Sequence, residues 1–126
     1  MLNTEQLETA ALALRTAEET REVIGPLTDT FEGIDVVDAY EIQLINIRRR
    51  IAAGAQIRGH KVGLSAKAMQ QMLGVSEPDY AAVLSDWLLE DGAAIPRADL
   101  IAPRVEAEIG FLLKAPLRGP GVTVQD

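Results

Sequence analysis

The sequence lacks cysteine and has few aromatic residues, and these absences limit what the protein can be. Of 126 residues, none is Cys, one is His and 4% are aromatic, so disulfides, thiolate metal sites and Cys nucleophiles are excluded. No apolar run approaches the roughly 20 residues of a membrane span, and the first residues lack a signal peptide's positive charge. We therefore expect a cytoplasmic protein with no membrane partner.

Positive charge is also scarce. Twelve Lys and Arg stand against nineteen Asp and Glu, for a net charge of −7, which argues against a nucleic-acid partner because such binding depends on basic side chains. The one basic cluster, Arg48 to Arg50, falls near the end of a predicted helix, where cations complement the helix dipole. We interpret it as structural, with a phosphate or acidic-substrate site as the alternative.

The first part of the chain is predicted to be helical. Asn3 and Gln6 resemble a capping box, and the helix they begin should end near Arg21. A loop is expected over residues 27–33. Asp35 is a suitable N-cap for a second helix that ends before a glycine. Its apolar residues recur at spacings of three and four, which predicts an inner face of Val37, Tyr40, Leu44, Ile47 and Ile51.

The middle of the chain is predicted to contain a strand and a short helix. Residues 57–64 read as a strand in which Gly59 and Gly63 flank Lys61, leaving room for another group to approach the backbone. Ser65 is the predicted cap of the short helix, with Met69, Met72 and Leu73 on its inner side. Residues 77–80 have turn chemistry, and residues 81–89 are ambiguous between strand and helix.

Near the C-terminal end, residues 100–114 are predicted to form another strand. Alternation places Val105 and Ile109 on one face and Glu106 and Glu108 on the other. The two Glu side chains would start about 6.8 Å apart and point the same way, so both could bind one hard cation. The alternative is an edge strand with a solvated outer face.

Three motifs in order carry a resemblance to a known family. They are residues 59–75 (GHKVGLSAKAMQQMLGV), 77–80 (EPDY) and 103–109 (PRVEAEI). Together they resemble the 2-hydroxypenta-2,4-dienoate (2-keto-4-pentenoate) hydratases of the fumarylacetoacetate hydrolase superfamily. The stretch from Lys61 to Pro78 looks closest to the 2-hydroxyhexa-2,4-dienoate hydratases of steroid catabolism. The resemblance implies an α+β fold with N-terminal helices and a mixed, curved β-sheet.

The resemblance also implies a site and a reaction. Glu106 and Glu108 would bind Mg2+ or Mn2+, and Lys61 and Asp79 would match the family's acid/base residues. Asp79 could orient Lys61 or position the attacking water. The enzyme would hydrate a 2-hydroxy-2,4-dienoate to a 4-hydroxy-2-oxo acid in aromatic or steroid catabolism. A homo-oligomer, and an aldolase of the same pathway as a partner, are further expectations.

The chain departs from the family pattern in sequence and in length. Ala81 stands where the family usually has Gly, and Trp87 stands where Met is common. Family members are about twice as long, and their third carboxylate metal ligand lies beyond Thr123. We therefore expect residues 1–126 to be one hydratase-like domain, helical over 1–54 and strand–helix–strand over 55–126, matching the family's N-terminal half. A 4-oxalocrotonate-type decarboxylase and an inactive truncated fragment are the alternatives.

Overall fold

Helices occupy the first part of the chain, and a two-stranded sheet follows them. A computed structural model describes residues 1–123 and Gln125, and it confirms the α+β class. None of the helices in this described part is long and apolar enough to cross a membrane. In chain order the elements are α1 (Thr4–Thr20), α2 (Leu27–Thr30), α3 (Val36–Ala52), β1 (Ile57–Gly63), α4 (Lys67–Leu73), β2 (Asp79–Leu84) and two 3-10 turns (Ser85–Trp87 and Arg97–Asp99).

The two long helices begin at the predicted caps. The Asn3 side chain accepts a hydrogen bond from the Gln6 backbone N–H at 2.9 Å, and the Gln6 side chain accepts one from the Asn3 N–H at 3.0 Å. Asp35 and Asp38 form the same reciprocal pair at the start of α3. Each pair satisfies backbone donors that a helix start leaves unpaired. Both predicted helix starts are therefore confirmed.

The hydrophobic core lies between α1 and α3. Ala10 and Ala11 are fully buried on α1, and their small side chains allow Ile42 of α3 to approach closely. The inner face predicted for α3 is confirmed at Ile47, which is 7% exposed, and is wrong at Val37 and Ile51, which are 62% and 41% exposed. α3 carries apolar residues on more than one stripe, and α1 packs on the stripe that contains Ile42.

Three local predictions about the shorter helices are wrong. The predicted loop over residues 27–33 contains the helical turn α2, which is followed by the buried Phe31. Ser65 does not cap α4, which begins after Ala66 without a side-chain cap. The buried residue of α4 is Gln70 and not the predicted apolar set, because the Gln70 amide donates a hydrogen bond to the Leu64 carbonyl at 2.6 Å. The residues expected on the inner side are exposed, namely Met69, Met72 and Leu73.

The sheet is an antiparallel pair of β1 and β2. The predicted strand over residues 57–64 is confirmed as β1, with Lys61 opposite Ala81 and Gly63 opposite Asp79. Asp79 belongs to the segment predicted as a turn, but it opens β2, because pairing with β1 satisfies its backbone groups. The ambiguous segment that follows is strand to Leu84 and then a 3-10 turn.

The prediction of a strand over residues 100–114 is wrong for the described part of the chain. After the 3-10 turn at Arg97–Asp99, the described residues contain no further strand. Val105 is 98% exposed and Phe111 is 85% exposed, so the apolar face of the predicted strand packs on nothing described. A strand requires a neighbouring strand for its hydrogen bonds, and the two described strands pair only with each other.

Arg50 connects the helices to the segment after the sheet. Its guanidinium donates hydrogen bonds to Glu18 of α1 and, at 2.7 Å, to Asp86. It also lies 5.4 Å from the ring centroid of Trp87. Partial burial lowers the pKa of Arg50, but the hydrogen bonds and charges of the two carboxylates outweigh it and raise the pKa. At Arg50, these contacts agree with a structural role for the arginine cluster.

Candidate active site

The antiparallel pairing of β1 and β2 places Lys61 and Asp79 on the same face of the sheet. Lys61 pairs with Ala81 and Gly63 pairs with Asp79, and side chains two residues apart on a strand point the same way. The Asp79 carboxylate fills the space above Gly63. A Cβ atom at Gly63 would overlap Oδ1 of Asp79 and come within 3.2 Å of its Cγ. The predicted role of this glycine, to allow a close approach, is confirmed, and the approaching group is Asp79.

Glu106 and Glu108 converge on the same lysine. Lys61 Nζ lies 3.8 Å from Oε2 of Glu106 and donates a hydrogen bond to Oε1 of Glu108. Both carboxylates reach one ammonium, as expected for side chains two residues apart in extended backbone. The structure therefore brings the other three predicted site residues close to Lys61, although the segment that carries the two glutamates is not a strand.

The electrostatics of the cluster centre on Lys61. The hydrogen bond to Glu108 is the main cause that raises the pKa of Lys61 above its ordinary value, and the charges of Glu108, Glu106 and Asp79 act in the same direction. The side chains of Lys61, Glu106 and Glu108 are 47%, 73% and 52% exposed. Solvent therefore screens these ion pairs, which contribute little to stability.

A cleft of about 750 Å³ opens beside Lys61 and Asp79. Its walls come from α3, the two strands and the loop after α4. Among the described residues that line it, Lys61 is the only cation, while Asp79 and Glu77 supply carboxylates. The other lining residues are mostly apolar or glycine, and Gln43 and Ser76 are polar; they are Val36, Ala39, Tyr40, Gln43, Gly63, Leu64, Gly74, Val75, Ser76, Pro78, Tyr80 and Ala81. A small molecule with an apolar body matches most of this lining, and Lys61 is the described group there that can pair with an anion.

The sequence analysis missed two features of the cleft. Tyr40 and Tyr80 stack with ring centroids 5.2 Å apart, which joins α3 to β2 at the cleft wall. Leu64 has a positive φ of 53°, and its carbonyl accepts the hydrogen bond from the buried Gln70. No sequence signal indicated the left-handed residue. For Tyr80 such a signal exists. The residue follows Asp79 directly, so alternation along a strand predicts that its side chain lies on the sheet face opposite to that of Asp79.

His60 stays apart from this cluster. It pairs with Ala82 one position before Lys61, so its side chain leaves the sheet on the opposite face. It is exposed and does not line the cleft.

The carboxylate pair fits a hard divalent cation in its chemistry. Glu106 and Glu108 already direct oxygens at one positive charge, the Lys61 ammonium. Carboxylate oxygens are the ligands that Mg2+ and Mn2+ prefer, and Mg2+ retains several waters beside one or two carboxylates. Within residues 1–123 and Gln125, no group of three or more His, Asp or Glu side chains is arranged to share a metal. The pair would thus supply part of a coordination shell.

Comparison with known proteins identifies the family. No protein-family model matches the chain. It is 44% identical over 116 residues to the 2-oxo-hept-4-ene-1,7-dioate hydratase of Escherichia coli, covering 92% of this chain and 43% of the relative. It is 47% identical over 109 residues to a 2-keto-4-pentenoate hydratase of Paraburkholderia xenovorans, covering 86% of this chain and 40% of the relative. The chain belongs to this hydratase family.

Further relatives agree with this assignment. The 2-hydroxyhexa-2,4-dienoate hydratase of Comamonas testosteroni is 42% identical over 122 residues, with 95% of this chain and 46% of the relative covered. The family predicted from the three motifs is thereby confirmed. The chain spans less than half the length of these curated relatives.

The fold is also similar to a solved member of a related activity. The 4-oxalocrotonate decarboxylase of Pseudomonas putida G7, complexed with magnesium and adipate, matches with a TM-score of 0.62 and 34% identity over 68% of this chain and 33% of that chain. The same enzyme complexed with calcium and acetate gives a TM-score of 0.65 and 32% identity, with the same coverage. That enzyme has thus been solved with a divalent cation together with a carboxylate compound.

Proposed function

We propose that this chain forms part of a metal-dependent hydro-lyase that hydrates a 2-hydroxy-2,4-dienoate to a 4-hydroxy-2-oxo acid. The observation that carries the proposal is the convergence of Asp79, Glu106 and Glu108 around Lys61 at the edge of an apolar cleft. The family assignment supports the reaction class. The dienol must ketonise, and water then adds its oxygen to the distal alkene carbon and its hydrogen to the carbon beside the carbonyl.

Lys61 is proposed to stabilise the developing negative charge and to transfer the proton. Both steps build negative charge on the C2 oxygen, and Lys61 is the only cation among the described residues of the cleft wall. A divalent cation held by Glu106 and Glu108 would supply Lewis-acid stabilisation of that charge. Lys61 can donate a hydrogen bond to the same region and deliver or accept a proton during ketonisation.

Asp79 is proposed to orient Lys61 or the attacking water. Its carboxylate lies on the same sheet face as Lys61 and its charge acts on the ammonium. A carboxylate that accepts a hydrogen bond can hold a water or a lysine in one orientation, which is a large part of catalysis when the reacting atoms must meet. The close fit above Gly63 limits where the carboxylate can lie.

A decarboxylase of the 4-oxalocrotonate type is the second candidate, because the solved structure that matches has this activity. Its substrate carries an additional carboxylate, which calls for a further cationic group. The described residues of the cleft wall provide Lys61 as their single cation. This composition favours a substrate with a single carboxylate, and the relatives of 42–47% identity described above, which are hydratases, favour hydration as the reaction.

Finer expectations complete the proposal and rest on the resemblance. They are a mixed, curved sheet of the fumarylacetoacetate hydrolase type, Mg2+ or Mn2+ as the cation, and a role in aromatic or steroid catabolism. A homo-oligomer, an aldolase of the same pathway as a partner and a cytoplasmic location belong to the same set. Sizing chromatography of the chain at several concentrations tests the oligomer.

The direct test is turnover in the presence of Mn2+. Loss of the ultraviolet absorbance of 2-hydroxypenta-2,4-dienoate should accompany formation of 4-hydroxy-2-oxopentanoate, and Glu106→Gln should slow it at least about tenfold while weakening Mn2+ binding. Glu90→Gln, a matched change at an exposed glutamate outside the cluster, should have no effect. Release of CO2 from 4-oxalocrotonate without hydration would instead favour the decarboxylase. Turnover that is unaffected by Glu106→Gln would refute the metal assignment.

A further inference from the structure

We propose that Lys61 is a built-in competitor of the divalent cation, whose ammonium occupies the oxygens of Glu106 and Glu108 and thereby weakens metal binding. This inference rests on the proposed function, because it takes the two glutamates as the metal-binding pair. It adds a role for Lys61 that is separate from proton transfer, namely control of the affinity for the metal.

The geometry supports competition for the same oxygens. Lys61 donates a hydrogen bond to Oε1 of Glu108, and its Nζ lies 3.8 Å from Oε2 of Glu106. A divalent cation bound by the pair would take carboxylate oxygens of the same two side chains at about 2.0–2.6 Å. An ammonium hydrogen-bonded to the same atoms would lie within a few ångströms of the cation, and two positive charges so close repel each other. The cation must therefore displace Lys61 from Glu108.

The position of Lys61 makes this displacement feasible. Its side chain is 47% exposed and rises from the middle of β1, so the flexible four-carbon stem can move without disturbing the sheet. Asp79, on the same sheet face, is the carboxylate that remains beside Lys61 after displacement. Metal binding would thus transfer Lys61 from Glu108 to Asp79, beside the cleft where the substrate is proposed to lie.

The expected effect is modest, because the groups are exposed. Exposed ion pairs contribute little, and removing the Lys61 ammonium should therefore tighten Mn2+ binding by about three- to tenfold in Kd. Lys61→Met removes the charge and retains much of the stem. Lys61→Arg retains the charge and should bind Mn2+ about as weakly as the wild type.

The test is titration of the full chain with Mn2+, following the EPR signal of free Mn2+, without substrate. Lys67→Met is the matched control, since it removes one lysine charge from α4, where the Lys67 ammonium donates a hydrogen bond to Gln70 at 3.2 Å. Support requires that Lys61→Met binds Mn2+ at least about threefold more tightly than Lys67→Met. Lys61→Gln provides a second variant, and circular dichroism verifies that each protein is folded.

Two outcomes overturn the inference, and they are distinguishable. If Glu106→Gln abolishes Mn2+ binding but Lys61→Met binds no more tightly than Lys67→Met, Lys61 is not a competitor and the metal assignment stands. If Glu106→Gln and Glu108→Gln leave Mn2+ binding unchanged, the pair is not the metal site, and the proposed function fails together with the inference.

Discussion

Replacing Gly63 by Ala should lower the hydration rate and leave the free energy of unfolding nearly unchanged. Gly63 of β1 pairs with Asp79 of β2, and its missing side chain leaves the space that the Asp79 carboxylate fills. Gly63 does not have the positive φ that favours glycine, so Ala fits the backbone. The three atoms nearest to the new methyl group would all belong to the Asp79 side chain. We therefore expect the strand to remain and the Asp79 carboxylate to move.

The magnitude follows from the overlap. A Cβ at Gly63 would overlap Oδ1 of Asp79 and approach Cγ to 3.2 Å, so the oxygen has to move by about 1 Å or more to reach an ordinary contact distance. A misplacement of about 1 Å in a positioned catalytic group can lower the rate by about 100-fold. Stability should change by less than about 1 kcal/mol, because the lower flexibility of Ala in a strand offsets the cost of a displaced rotamer.

Gly59→Ala is the matched control, since Gly59 lies in the same strand and a methyl group added there would point into open space. The assay compares the hydration rate of 2-hydroxypenta-2,4-dienoate and the unfolding midpoint of both variants. The carboxyl chemical shift of Asp79 provides a readout that does not depend on turnover. If Gly63→Ala retains the rate of Gly59→Ala while the Asp79 signal shifts, then the position of this carboxylate does not matter for catalysis.

Two further predictions concern the framework that holds the site. Ile42→Ala should lower the free energy of unfolding by about 2–5 kcal/mol, because Ile42 is fully buried between the long helices. Ile51→Ala, at an exposed position of the same helix, should lower it much less; equal losses in urea denaturation would contradict the assigned core. Arg50→Met should lower the free energy of unfolding by about 1–2 kcal/mol, because it removes two ion pairs and the contact with Trp87. Arg48→Met should have little effect, and an unchanged Trp87 fluorescence in Arg50→Met would refute the contact.

The features predictable from the sequence are those determined by neighbouring residues. The caps at Asn3 and Asp35 depend on side chains three residues away, and the chain between them hardly influences them. The same holds for Gly74, which ends α4 in the left-handed conformation as glycine readily does. Lys61 and Gly63 could likewise be assigned to one face of a strand, because alternation is a local property.

The predictions that failed concern features that depend on partners distant in sequence. The buried stripe of α3 is selected by α1, and apolar periodicity could not distinguish the stripe of Ile42 from that of Val37. The methionines of α4 have the spacing of a core face, yet Gln70 is the residue buried. The alternating segment around Val105 has the pattern of a strand without a described strand beside it. Periodicity indicates which residues share a face and does not indicate what covers that face.

The charge balance of the cluster favours a divalent cation more strongly than the acidic pair alone. Glu106 and Glu108 lie on the same side of an extended segment, where their charges repel. Lys61 neutralises one charge, but with Asp79 also acting on it the cluster has three carboxylates and one ammonium. Two negative charges remain, which is the deficit that one divalent cation balances. An ordinary solvated ion pair needs one partner for Lys61, and the additional carboxylates beside it are the charges that the proposed divalent cation would neutralise.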